Sequence, residues 1–286
     1  MNIYSIDTGF FKLDGGAMFG VVPRSIWGKL NPPDEANLCN WAMRCLLIED
    51  GKRLILVDTG IGSKQDPKFF SHYHLHGHGE LHASLNKIGF HADDITDVFL
   101  THLHFDHCGG GIMRVGDRLL PTFKNAIYWS NDTHWKWATE PNEREKASFL
   151  KENILPIKES GQLSMIPLKD AANNTGRLLE FTTNIQIGFY YGHTQAMMLP
   201  FISYKGRKIV FMADLLPSVA HMPIPYIMAY DTYPLTSMNE KNSFLLEAQK
   251  ENWVLFFEHD PGVECCDLQM TEKGVRSKNG FTIGEI

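Results

Sequence analysis

Thr101-His102-Leu103-His104-Phe105-Asp106-His107-Cys108 follows directly on a short apolar run, Asp97–Leu100, that reads as a strand. Three imidazoles and a carboxylate lie within six residues, and burying them unpaired would be costly. Cations among them remove that cost, and imidazole nitrogen with carboxylate oxygen is a donor set that suits zinc. Histidines two apart can point the same way from a tight loop, while Asp106 and His107 face a neighbouring position. The segment therefore suggests two adjacent metals.

Two metals need more ligands than one segment holds, and strand ends where loops converge are the places to look. Three such residues stand out. His193 follows the strand candidate Asn184–Tyr191, Asp214 follows the apolar run Ile209–Met212, and His259 follows Val254–Phe257. Earlier in the chain, Asp58-Thr59-Gly60 ends another apolar run, Arg53–Val57.

The rest of the chain alternates strands and helices. Ala42–Glu49 and Arg53–Val57 form a hairpin about Asp50-Gly51, and Met197–Tyr204 with Lys208–Met212 form another about Lys205-Gly206-Arg207. Ala126–Trp129 is a further strand. Helical patterns cover Glu143–Ile154 and Ser237–Trp253, the second with a capping box of Ser237 and Glu240. No linker and no short repeat interrupts the 286 residues, so a single domain is expected, of α/β character and arranged as an αββα sandwich.

Composition narrows the function. A net charge of −6 argues against a nucleic-acid binder. No apolar stretch reaches bilayer length, and the N-terminus has no signal-peptide pattern. Five cysteines (Cys39, Cys45, Cys108, Cys265 and Cys266) without framework spacing fit a reducing, cytoplasmic setting. A small-molecule substrate is expected, with no nucleic acid and no membrane as partner. Of thirteen histidines, six fall between His72 and His91. That segment reads as a pocket edge, an extra metal site or a solvated loop.

His102-Leu103-His104-Phe105-Asp106-His107 resembles the HxHxDH signature of the metallo-β-lactamase superfamily. Asp58-Thr59-Gly60, Gly192-His193-Thr194, Asp214 and His259 fall in that family's order, and the resemblance runs from about Ala42 to Asp260. It implies a four-layer αββα fold over residues 1–286 with an N-terminal extension, and two divalent ions, zinc first, with manganese, iron or cobalt as alternatives. His102, His104 and His193 would hold the first metal. Asp106, His107 and His259 would hold the second, Asp214 would bridge, and Asp58 would support a ligand. A hydroxide shared by the metals would attack an electrophilic centre, with Asp106 handling the proton.

Within the superfamily the chain is similar to the branch of N-acyl-homoserine-lactone lactonases and methyl parathion hydrolase. The features are Gly15–Gly20 with Val22-Pro23, the long stretch between Asp58 and His102, and Leu215–Pro217 followed by His221–Pro223 and the aromatic-rich Tyr226–Tyr233. The implied activity is opening of a small lactone, or cleavage of an ester or phosphotriester. A homodimer is the family-level guess. Glyoxalase II-like thioester hydrolysis and a mononuclear iron dioxygenase are the alternatives. Pro217 stands where the best-known lactonases carry a tyrosine, so help to the substrate carbonyl must come from elsewhere. Phe19, Phe105, His221, Tyr226 and Tyr230 are the pocket candidates, with Trp27 beside them.

Overall fold

The computed structural model describes residues 1–168 and 178–286. The chain divides into two compact units. The first comprises Met1–Gly9 and Met43–Asn174, and the second Phe10–Ala42 and Thr175–Ile286. The architecture is α/β with two mixed sheets.

The first unit is built on β1 (Asn2–Asp14), β2 (Leu38–Asp50), β3 (Arg53–Val57) and β4 (Asp97–Phe99). β5 (Ile112–Val115) and β6 (Arg118–Pro121) form a separate two-stranded ribbon, and β7 (Ile127–Asn131) and β8 (Leu163–Ile166) complete the sheet in the order β1-β2-β3-β4-β7-β8. The division between units falls within β1 and β2. β2 and β3 pair antiparallel through the expected turn, where Gly51 adopts a positive φ of 66°. From β3 onward the pairing is parallel. Parallel strands buried on both faces read as continuous apolar runs, as Leu54–Val57 does. Leu47, Leu56, Val98, Leu103, Phe123, Tyr128 and Ile157 belong to this unit's core.

The second unit carries β9 (Leu179–Glu180), β10 (Ile185–Tyr190), β11 (Met197–Tyr204), β12 (Arg207–Phe211), β13 (Val254–Phe256), β14 (Cys265–Thr271) and β15 (Gly274–Phe281), hydrogen-bonded in reverse sequence order. Only β12 and β13 pair parallel; the other pairs in this sheet are antiparallel. The helix Pro234–Lys250 buries Phe244, Leu245 and Ala248. Phe244 and Trp253 pack against Phe201 at ring distances of 6.2 and 5.4 Å.

Two helix expectations are corrected. Residues 143–150 are not helical; the helix is Lys151–Glu159. Asn142 Oδ1 accepts from the backbone N–H of Arg144 and Glu145, a local turn that competes with helix formation. The long helix starts at Pro234, behind Tyr233, and has no capping box at Ser237. Proline at the first helical position pre-sets φ, and the Glu240 carboxylate turns away to accept from the N–H groups of Tyr191 and Gly192. No helix among the described residues is long and apolar enough to cross a membrane.

Candidate metal centre

In each unit a parallel strand pair brings carboxylate and histidine together at its C-terminal end. In the first unit Val57 lies opposite Phe99, so the residues just past β3 and β4 emerge side by side. Asp58 follows β3 with φ 56°, a left-handed conformation that Asp tolerates better than most residues. Its carboxylate accepts from Thr101 N at 2.8 Å and Thr101 Oγ1 at 2.6 Å, and lies 3.1 Å from His107 Nδ1. The chain then turns through His102 and His104 into the single helical turn Phe105–Cys108. His102 Nε2 and His104 Nδ1 approach to 3.1 Å, and His107 Nε2 stands 3.7 Å from Asp106 Oδ2.

Glycines let this loop lie flat. A Cβ on Gly110 would overlap the Thr59 carbonyl oxygen, and one on Gly109 would overlap that of Ile61. The buried Lys64 ammonium donates to the Gly109 carbonyl, fixing the end of the ligand-bearing turn; burial holds its pKa down at about 8. Cys108 is enclosed, and burial pushes its thiol up to about 12, so it fills space rather than reacts.

The second unit repeats the device. Phe211 of β12 lies opposite Phe256 of β13. Ala213 takes φ 40° and Asp214 follows, while Glu258-His259 follows β13. The two oxygens of Asp214 face different histidines: Oδ2 lies 3.1 Å from His193 Nε2, and Oδ1 lies 3.2 Å from His259 Nε2. The outer nitrogens are also held. His193 Nδ1 is 2.9 Å from Asp231 Oδ1, and His259 Nδ1 is 2.8 Å from the Ala42 carbonyl. Burial opposes a charge on His193, but the Asp214 and Asp231 carboxylates outweigh it and lift its pKa to about 10.

This donor set fits divalent metal ions. His102, His104, Asp106, His107, His193, Asp214 and His259 are all buried. All seven, with Asp58 and Glu258, belong to groups of histidines and carboxylates able to hold a metal ion. An imidazole that ligates through one nitrogen needs an acceptor at the other. Thr101 Oγ1, Asp58, Asp231 and the Ala42 carbonyl stand at the outer nitrogens of His102, His107, His193 and His259.

The family model that describes the metallo-β-lactamase superfamily matches residues 44–259. The chain belongs to the metallo-β-lactamase superfamily. Its fold is the metallo-β-lactamase fold, as the signature implies. A probable metal-dependent hydrolase from Staphylococcus aureus superposes with a TM-score of 0.87 at 27% identity, over 98% of this chain and 96% of that one. AidC, a dizinc quorum-quenching lactonase, superposes with a TM-score of 0.77 at 22% identity, over 98% and 95%. An N-acyl homoserine lactonase of Bacillus thuringiensis is 28% identical over 142 residues, 46% of this chain and 50% of that protein. The chain thus spans about half the length of the curated relatives it matches.

The other residues singled out from the sequence are placed as follows. Phe19 is enclosed, stacked on His221 at 4.4 Å and on Trp27 at 5.2 Å, with Tyr226 edge-on at 6.3 Å. Both nitrogens of His221 are engaged, with Ser218 Oγ at 2.8 Å and the Met18 carbonyl at 2.9 Å. Burial keeps that ring neutral, with a pKa down at about 3. Phe105 packs on Phe69 and Tyr73, and Tyr230 is exposed. His72, His74, His76 and His78 are exposed, and no residue of that segment belongs to a candidate metal group among the described residues.

Sequence reasoning passed over several residues. Asp231 and Glu145 lie far in sequence from the histidines they approach, with no local motif to mark them. Lys241 is buried, and its ammonium donates to the carbonyls of His221, Pro223 and Tyr226 at 2.9, 3.1 and 2.7 Å. It fastens the loop between Asp214 and the long helix. Its only sequence signal is a lysine on the apolar face of that helix.

Proposed function

We propose that this chain is a dinuclear metal-dependent hydrolase that opens a small lactone or cleaves a related ester or phosphotriester. The observation that carries the reading is Asp214, whose two carboxylate oxygens each meet the Nε2 of a different buried histidine. A carboxylate set between two imidazoles is what a bridge between two cations requires. In this reading His102, His104 and His193 hold one ion, Asp106, His107 and His259 the other, and Asp214 both. The lactonase names carried by similar proteins support the substrate class.

Bound zinc, or manganese, iron or cobalt in its place, would supply Lewis acidity and a water acidic enough to attack near neutral pH. The side chains do the rest. Asp106 is partly accessible, with its side chain 12% exposed, and serves to hold a proton and hand it to the leaving oxygen. His221 does not take that part, because both its ring nitrogens are engaged. Pro217 offers no donor to a substrate carbonyl. The substrate is a small molecule rather than a nucleic acid or a membrane. A reducing, cytoplasmic setting fits five buried cysteines, none of which is joined in a disulfide. The assembly in this reading is a homodimer.

The test is a panel of lactones, thioesters, β-lactams and phosphotriesters with protein loaded to saturation, alongside metal counting. Two metals per chain with lactone or ester turnover is the expected result. Saturation at one metal per chain, or turnover of thioesters alone, overturns the assignment.

A further inference from the structure

Each imidazole that ligates a cation through one nitrogen must carry its proton on the other, and a buried carboxylate there both fixes the tautomer and makes the ligand more basic. Asp58 does this for His107. Two further buried carboxylates stand in the same relation to other histidines, and the catalytic scheme above does not use them.

Glu145 is 3% exposed. Its Oε2 is pinned by Trp137 Nε1 at 2.6 Å and Asn142 Nδ2 at 2.9 Å, which turns Oε1 towards His104 Nε2 at 3.4 Å. The opposite nitrogen of that ring, Nδ1, is the one that approaches His102. The surrounding segment braces the same stretch of backbone. His134 Nε2 accepts from Leu103 N at 2.9 Å, Phe105 N donates to the Ser148 carbonyl, and Phe149 packs on the His104 ring at 4.8 Å. In the other unit Asp231, also 3% exposed, holds His193 Nδ1. Thr232 donates through both its backbone N–H and its hydroxyl to the His193 carbonyl, so side chain and backbone of this ligand are gripped together.

Buried carboxylates are expensive unless a positive neighbour compensates them. An imidazole N–H polarised by a cation on its far side is such a neighbour. We propose that Glu145 and Asp231 are positioning residues for the first metal, each orienting one of its histidine ligands, His104 and His193. The inference rests on the ligand assignment proposed above.

Cobalt(II) titration of metal-stripped protein tests it, read by the visible spectrum and by chelator competition. Wild type should take up two equivalents. Glu145→Gln and Asp231→Asn keep size but remove the negative charge that faces the protonated ring nitrogen. Each should weaken one of the two equivalents by about 10–100-fold and shift its spectrum, leaving the other equivalent near its wild-type affinity. Glu145→Asp, which keeps the charge, should recover part of the loss, and the exposed Glu140→Gln should bind as wild type. Uptake of both equivalents as in wild type by Glu145→Gln and Asp231→Asn overturns the inference and leaves the hydrolase reading standing. Equal loss of both equivalents with a lowered unfolding midpoint also overturns it, since that marks a general structural role. A wild type that saturates at one equivalent overturns the ligand assignment itself.

Discussion

Replacing Asp58 separates what the fold needs from what a metal needs. The carboxylate is wholly buried and serves three donors: Thr101 N, Thr101 Oγ1 and, at 3.1 Å, the His107 ring. In metal-stripped Asp58→Ala the Thr101 hydroxyl can turn to His102 Nδ1, 3.1 Å away, once that ring carries its proton on Nε2. Thr101 N and the His107 ring both lose a buried carboxylate acceptor. Two such contacts are worth about 2–6 kcal/mol, at about 1–3 each. Alanine at φ 56° adds about 1–2 kcal/mol, for a total of about 3–8. That is a large part of the 5–15 kcal/mol or so that holds a typical domain together. Asp58→Asn tolerates the left-handed backbone and keeps one carbonyl oxygen, so its cost should be about 1–3 kcal/mol. Its affinity for metal should fall about 10–100-fold, because the amide cannot accept from every donor at once. The assays are urea unfolding of metal-stripped protein, with unchanged slope as the check on two-state behaviour, and chelator competition on loaded protein. A metal-stripped Asp58→Ala protein within about 1 kcal/mol of wild type, or an Asp58→Asn protein with undiminished metal affinity, would refute the reasoning.

Three other changes have definite expectations. Asp106→Asn should lower turnover about 10²–10⁴-fold even at saturating metal, and full recovery there would leave Asp106 a ligand without a proton role. Glu240 has its carboxyl raised by burial, against the pull of the Tyr191 and Gly192 N–H groups, from 4.5 to about 7. The fold then holds a proton in that window that the unfolded chain has released. Stability should fall as pH rises through it, by at most about 3 kcal/mol, and Glu240→Gln should flatten that component; an unchanged pH profile in the variant would contradict the assignment. Gly110→Ala forces a Cβ onto the Thr59 carbonyl, where the backbone itself must yield, and should cost about 3 kcal/mol or more, seen as a lowered Tm of metal-stripped protein.

The strand ends were readable because parallel pairs are apolar throughout, so a polar residue at their end stands out. Asp58, His102, Asp214 and His259 all follow such runs. The Met197–Tyr204 strand and its turn were equally plain, since hairpins are local. β1, β14 and β15 were not picked out, because their exposed or half-buried residues blur the apolar signal. Asp231 and Glu145 were invisible for a different reason. A buried carboxylate looks like any surface carboxylate until the chain has folded, and their partners lie 38 and 41 positions away. Ser237 and Glu240 show the converse error. Their spacing fits a helix cap, yet Glu240 holds the backbone before His193 instead.

The grip of Lys241 on three carbonyls has a use at the bench. Amine-reactive reagents label a lysine only when its nitrogen is free to collide with them. This one, 1% exposed and fully engaged, becomes reactive only while the 221–226 loop has let go. Exposed lysines should be acylated at the reagent's own pace, and Lys241 at a pace set by local opening. Mass spectrometry of that single side chain therefore times the loop's release in the native sequence, without a tag or a substitution.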